Sequence, residues 1–259
     1  MHNKLFVIIP SRKGDMQLAF IERAIASVRN QTFAHKFEIH IFIGVDRGCA
    51  LDASVADNLS VSFIESKGNS QAAALNGAIR HIGDGFVAFL EDDDQWMPEF
   101  LECATQAIGL AEFISSTQME LDEKNELLKI NDFPTPSGWF MSCETLKKVG
   151  EFNEDYRFHL DNEWLGRLDE LKIQRIHMVE STAPTDIQFT LDSRPILFNI
   201  LNSTKGLCRL IRHQSPYPLV KRLVHSKSGM ASIFSNPELL AISQEEFQRL
   251  SKRFGKLPC

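Results

Sequence analysis

Five apolar residues, Phe86, Val87, Ala88, Phe89 and Leu90, run straight into four acids, Glu91, Asp92, Asp93 and Asp94. A continuous apolar run that follows Gly83 and Gly85 predicts a strand buried on both faces, and so a sheet covered by helices on each side. Pro98 suits the first turn of a helix over 99–108. The acids therefore fall on a strand-to-helix loop at the carboxyl edge of an α/β sheet, where such folds place ligands. Four adjacent carboxylates repel one another. A hard divalent cation, Mg²⁺ or Mn²⁺, is their natural counter-charge, and such ions commonly keep a phosphorylated substrate as a further ligand. The acids can also cap the following helix, but a cap uses one or two acids, and four are present.

The stretch before the acids reads as alternating strands and helices. Residues 5–9 are a short apolar strand ended by Pro10 and Ser11. The loop Ser11, Arg12, Lys13, Gly14 and Asp15 carries two positive charges, which suit either a phosphate or plain solvent. Phe20, Ile21, Ala24, Ile25 and Val28 follow helical spacing. Residues 37–45 form a second strand, ending at Asp46, which is either a base or ribose contact or a turn former before Gly48. A third strand spans 61–64, and an Ala-rich helix carrying Asn76 spans 71–81. The expected product is a parallel nucleotide-binding half over 1–95.

A second half is expected over 96–182. It opens with the helix, then a strand over 111–118 and a hairpin over 119–130 around Asp122, Glu123, Lys124 and Asn125. Residues 131–138 hold two prolines and a glycine and read as a loop. Residues 139–141 re-enter the core, and a short helix over 144–149 ends at Gly150. Asp161 and Glu163 lie near the start of a helix whose Leu160, Trp164, Leu165 and Leu168 face inward. Either acid suits an N-cap or a site.

Composition separates a third part. The net charge of −6 over 259 residues argues against bulk nucleic-acid binding. Residues 194–259 carry eleven Lys/Arg against three Asp/Glu, a net +8, which leaves −14 for the preceding chain. In this basic extension, 183–259, Ile196, Leu197, Ile200, Leu201, Leu207, Leu210 and Ile211 suggest apolar helical faces beside Lys205, Arg209 and Arg212. Two readings are open: helices packed back on the domain with a solvated rim, or docking on a membrane surface. Ser226, Lys227, Ser228 and Gly229 are a linker or a phosphate-contacting loop. The five cysteines, Cys49, Cys103, Cys143, Cys208 and Cys259, are widely spaced and odd in number, which fits a reducing compartment. The run over 5–9 is too short for a signal peptide, and no run reaches transmembrane length. The expected location is the cytoplasm, with peripheral contact at the inner membrane face as an option.

The segments together resemble GT-A fold glycosyltransferases of family 2, inverting enzymes that use nucleotide-diphospho sugars. The likeness lies in Phe6-Val7-Ile8-Ile9-Pro10-Ser11 with Gln31-Thr32-Phe33, in Ile43-Gly44-Val45-Asp46, in Asn76-Gly77 through Glu91-Asp92-Asp93-Asp94-Gln95-Trp96, and in Val149-Gly150-Glu151-Phe152 followed by Asp161-Asn162-Glu163-Trp164. It implies an α/β fold with a Rossmann-like, mixed but mostly parallel sheet flanked by helices, followed by a helical C-terminal extension. Carried over by residue, Asp93 and Glu91 would bind Mn²⁺ or Mg²⁺, with Glu91 standing where the family's DXD motif usually has Asp. Asp92, Asp46, Asn76, Pro10 and Ser11 would contact the nucleotide, and Asp161 would be the general base. Trp139, Trp164 and Glu163 would line the acceptor side, though for both tryptophans the core is the favoured place. His213 and His225 are candidates for a late histidine ligand.

The resemblance implies a glycan or lipid-linked acceptor and a role in surface polysaccharide synthesis. Two departures, Arg47 and Leu75, fall on the nucleotide side and leave UDP as a default base. A sugar nucleotidyltransferase, which releases pyrophosphate, and a non-catalytic sugar-nucleotide-binding subunit are the alternatives.

Overall fold

The apolar run before the acids is the middle of a sheet. The computed structural model describes residues 3–11, 15–49, 60–181, 208–225, 233 and 235–255. Strand β1 (Asn3–Ser11) runs parallel to β2 (Phe37–Val45) and to β4 (Phe86–Phe89), and β3 (Val61–Glu65) extends the parallel set beyond β2. Leu5, Val7, Ile9 and Ala88 face one core; Phe6, Ile8, Val87 and Phe89 face the other. Burial on both faces is why these strands lack polar alternation.

Beyond β4 the sheet continues through β9 (Phe140–Ser142), which is antiparallel to both neighbours, then β6 (Phe113–Ser116), β10 (Arg175–Val179) and β11 (Cys208–Arg212). The order in this eight-stranded sheet is β11-β10-β6-β9-β4-β1-β2-β3. A smaller sheet, order β5-β12-β7-β8, is built from β5 (Gln95–Trp96), β7 (Gln118–Leu121), β8 (Leu127–Asn131) and β12 (Val220–Leu223).

Helices α1 (Asp15–Arg29) and α3 (Phe100–Ile108) cover one face of the large sheet. Helices α2 (Gln71–Ile79), α4 (Cys143–Val149) and α5 (Leu160–Glu170) cover the other. The small residues of α2 let it lie close to β2: a Cβ at Gly44 would collide with the Ala74 carbonyl. Ser70 and Ser142 cap α2 and α4 by accepting the N–H of Ala73 and Thr145. A last helix, α6 (Pro237–Phe254), starts at an Asn236 cap and ends at Gly255 in the left-handed region.

Several expectations need correction. The strand expected over 111–118 breaks at Thr117 into β6 and β7, which join different sheets. The loop over 131–138 ends in a buried 3-10 turn, Pro136–Gly138. In the basic extension, Arg209, Leu210, Ile211 and Arg212 are not helical. They form β11, which pairs with β10 at the sheet edge, because an edge strand needs only one hydrogen-bonding neighbour. The side chains of Arg209 and Arg212 fold back to accept-capable carbonyls, donating to Leu110 O and Glu180 O. Ile196, Leu197, Ile200, Leu201, Lys205, Gly206 and Leu207 lie outside the described residues, as do Arg12, Lys13, Gly14, Ser226, Lys227, Ser228, Gly229 and Cys259. Cys49, Cys103 and Cys143 are free thiols. Among the described residues, no helix is long and apolar enough to cross a membrane.

Candidate active site

The acids leave the sheet where β4 ends, and each is held by a different part of the chain. Glu91 Oε1 accepts from Gln71 Nε2 of α2 at 2.8 Å. Asp92 Oδ2 accepts from the Ser11 hydroxyl at the end of β1, at 2.6 Å. Asp93 Oδ2 lies 3.0 Å from His225 Nε2, just after β12. Asp94 is 1% exposed and accepts from the Ser137 hydroxyl at 2.6 Å and from the Leu223 N–H at 3.3 Å. Ser137 Oγ also accepts the Glu91 N–H at 3.0 Å, so one buried hydroxyl braces both ends of the acidic turn.

Glu91, Asp93 and Asp94 each turn one oxygen inward, within 4.8 Å of one another. The electrostatics follow from that crowding. Burial first, then the charges of Asp93 and Glu91, hold the Asp94 carboxyl well above the usual carboxylate range. Burial also raises Glu91, with Arg222 partly offsetting it. Protons are thus favoured on acids that a hard cation would displace, and the all-oxygen donor set is the type Mg²⁺ or Mn²⁺ takes.

Arg222 on β12 is the permanent cation of the site. Burial works to lower its pKa, but the charges of Glu91, Asp94, Glu120 and Asp93 outweigh it and the guanidinium is held more firmly charged. Its Nη1 is 3.5 Å from Glu120 Oε1. Asp161, in the first turn of α5, is near enough for its charge to act on Glu91 and for the charge of Arg222 to act on it. Burial raises the Asp161 carboxyl, while its Oδ1 accepts the Asn162 N–H at 2.8 Å. Asp93, in contact with His225, raises the His225 imidazole.

The remaining sequence candidates sit on several elements. Pro10 is buried within β1, opposite Gly44, and Asp46 sits half-buried at the end of β2. Asn76 is 1% exposed, and its amide is used internally: Nδ2 donates to Phe152 O, and Oδ1 accepts the Phe152 N–H. These two bonds clamp α2 to the turn after α4. Glu163 is 1% exposed and paired with Arg167 and Arg253 at 3.0 and 2.8 Å. Trp139 and Trp164 are fully buried, stacked on each other at 5.0 Å between centroids, and belong to the core. His213 follows β11, and burial lowers its pKa to about 4. It does not join the three-acid cluster, so of the two histidines only His225 lies beside it.

Gln71, Ser137 and Arg222 were not singled out from the sequence. Gln71 is one polar residue at the start of a helix, Ser137 stands in a segment that reads as loop, and Arg222 lies on a four-residue strand in a basic tail. None carries a local signal; each is recruited by tertiary contact.

A family model described as glycosyl transferase family 2 matches residues 6–147. Curated proteins yield no match. Among solved structures, S. aureus TarS superposes with a TM-score of 0.53 at 13% identity, over 86% of this chain and 37% of TarS. The mannosyltransferase PcManGT from Pyrobaculum calidifontis, in complex with GDP-Man and Mn²⁺, gives 0.49 at 16% identity, over 72% of this chain and 56% of that one. The chain thus spans about half the length, or less, of these solved proteins, and the likeness to TarS is one of fold. The family match covers more than half of the chain and takes in β1, α2 and the acidic turn; the chain belongs to glycosyl transferase family 2.

Proposed function

We propose that the chain is a metal-dependent, inverting glycosyltransferase that moves a sugar from a nucleotide-diphospho sugar to a hydroxyl of a glycan or lipid-linked acceptor, in surface polysaccharide synthesis. The observation that carries the reading is the convergence of the Glu91, Asp93 and Asp94 oxygens, with the charges of Arg222 and Asp161 acting on Glu91. Glu91 and Asp93 would hold Mn²⁺ or Mg²⁺, backed by Asp94, with His225 beside Asp93. Bound there, the ion supplies Lewis-acid stabilisation of the diphosphate leaving group.

The chain's own residues account for the rest. Asp161 accepts the proton of the acceptor hydroxyl while that oxygen bonds to the anomeric carbon. The bond from that carbon to the diphosphate breaks in the same displacement, and a nucleoside diphosphate departs. A carboxyl raised by burial is a better base near neutral pH than an ordinary one. Arg222 places fixed positive charge on the wall where the leaving group gains negative charge. Asp92, tied to Ser11, and Asp46 stand at the ends of β4 and β2 on the edge assigned to the nucleoside, with UDP as the default base.

The test uses the full chain with UDP-, GDP-, dTDP- and CMP-sugars, with and without Mn²⁺. Donor binding raises the melting temperature, and product analysis shows a nucleoside diphosphate from the diphospho-sugars; pyrophosphate released from a nucleoside triphosphate and a sugar 1-phosphate, assayed in parallel, would instead indicate a nucleotidyltransferase. Asp93→Ala abolishes the Mn²⁺-dependent shift. Asp161→Asn keeps that shift but lowers transfer by about 10²–10⁴-fold, the usual worth of a general base. Transfer undiminished in Asp161→Asn would remove the base from the scheme.

A further inference from the structure

We infer that α6 positions the candidate base, with Glu246 and Ser243 fixing the turn that delivers Asp161 to the cleft. This rests on the reading of Asp161 given above. Helix α5 begins at Leu160, and its N-cap residue, His159, makes no side-chain cap. The N–H groups of Arg157, Phe158 and His159 instead all donate to the Glu246 carboxylate, at 2.7, 2.9 and 3.0 Å. Successive N–H groups converging on one point form an anion-binding nest, and here the anion comes from the chain itself. Glu246 is 1% exposed. A carboxylate withdrawn from water is tolerated only with donors of this kind.

The His159 ring extends the tie. Its Nε2 lies 3.0 Å from Ser243 Oγ and its Nδ1 3.1 Å from Asn162 Oδ1, so one imidazole joins α6 to the first turn of α5. Asp161 lies between the two residues that are held. Farther along α6, Leu250 is fully buried, and Arg253 pairs with Glu163 and Glu170 at 2.8 and 2.9 Å. The Phe254 ring lies on Gly166, where a Cβ would stand 2.5 Å from it. Among the described residues, the side chains of Glu246, Ser243, Arg249 and Arg253 hydrogen-bond to residues within 155–170 and not to 91–94. The support is directed to the base side of the cleft and not to the acids. Glu246 and Ser243 are positioning residues: they act on Asp161 through the backbone of 157–159 and through His159.

The experiment compares the full chain with Glu246→Gln, Ser243→Ala, Asp161→Asn and the Glu246→Gln/Asp161→Asn double variant. Amide hydrogen exchange is followed by mass spectrometry. Nucleoside diphosphate release is measured with the UDP-, GDP- and dTDP-sugar panel and Mn²⁺. In Glu246→Gln, exchange over 157–163 speeds up on the order of tenfold, as the loss of a charge-assisted hydrogen bond allows, while exchange over 89–96 is unchanged. Turnover falls by a similar factor, the Mn²⁺-dependent thermal shift is retained, and the same substitution costs nothing further in the Asp161→Asn background.

Unchanged exchange over 157–163, or an equal loss of turnover in both backgrounds, overturns the inference. Full turnover in Asp161→Asn overturns the base assignment itself, whereas normal turnover in Glu246→Gln beside a dead Asp161→Asn overturns only the positioning role. Ser243→Ala, which removes only the His159 link, carries the same expectations if Glu246→Gln does not fold.

Discussion

Replacing Ser137 by alanine deletes one oxygen from the centre of the acidic turn. That oxygen is fully buried, donates to Asp94 at 2.6 Å and accepts the Glu91 N–H at 3.0 Å. The Ser137 carbonyl, which accepts from Trp96 Nε1, is untouched. The variant therefore leaves a partly buried N–H unpaired and takes one donor from a buried carboxyl, each costing about 1–3 kcal/mol. The space of one hydroxyl is too small to admit a compensating water. Asp94 keeps the Leu223 N–H, so the net loss is about 2–4 kcal/mol. For a chain of this size that lowers the melting temperature by roughly 5–15 °C. Ser137 also works against the upward pressure on the Asp94 pKa. Without it the folded state holds the Asp94 proton still more tightly relative to the unfolded chain, and the penalty grows as pH rises through the raised pKa. Thermal unfolding of the metal-free protein near pH 5 and near pH 8 measures both effects. A melting temperature within about 1 °C of the parent at the higher pH, or a penalty that shrinks with pH, would refute the bracing role.

Three further outcomes follow from the same geometry. Arg222→Gln removes the fixed cation from Glu91, Asp93, Asp94 and Glu120 and destabilises the metal-free chain by about 1–3 kcal/mol. The loss is larger near pH 8 than near pH 5 because the acids ionise with rising pH; equal losses would mean the arginine is not their counter-charge. The raised carboxyls of Glu91 and Asp94 make the metal-free protein lose stability as pH rises through their folded pKa values, since the folded state then holds protons the unfolded chain has released. A bound cation must displace those protons, so the Mn²⁺-induced rise in melting temperature increases from about pH 5 to about pH 8, and a pH-independent shift would contradict the site. Trp164→Ala costs about 3–5 kcal/mol as a core truncation; Trp164→Phe lowers stability less and leaves Michaelis constants unchanged, whereas a raised Michaelis constant for acceptor at constant stability would return the residue to the pocket.

The sheet-forming half was legible because its signals are local. An apolar run buried on both faces has no polar alternation, and the runs at 5–9, 37–45 and 86–90 each end in a polar turn that the strand direction brings to one edge. The acid cluster was legible for the same reason: adjacent carboxylates at a strand end are seen without any long-range contact. The small sheet was less readable. Its β5 and β12 are two and four residues long and gain stability from pairing with each other, which no periodicity records. The basic extension carried helical spacing at Leu210 and Ile211, yet pairing with β10 overrode it.

The residue-level roles divide along the same line. The sequence by itself determined that four carboxylates meet a strand end and that an acid opens a helix downstream, because backbone pattern and chain order suffice for both. Only the tertiary structure decided which polar groups gather beside the acids and which are used in the interior. Asn76 and Glu163 look like site residues in the chain, but Phe152, Arg167 and Arg253 use their hydrogen-bonding capacity in the interior. Arg222, Ser137 and Glu246 look like ordinary tail and loop residues, but folding places a guanidinium against the acids, a hydroxyl beneath them and a carboxylate under the turn before Asp161. A buried polar group must find a partner somewhere, and that partner is chosen by the packing of distant segments.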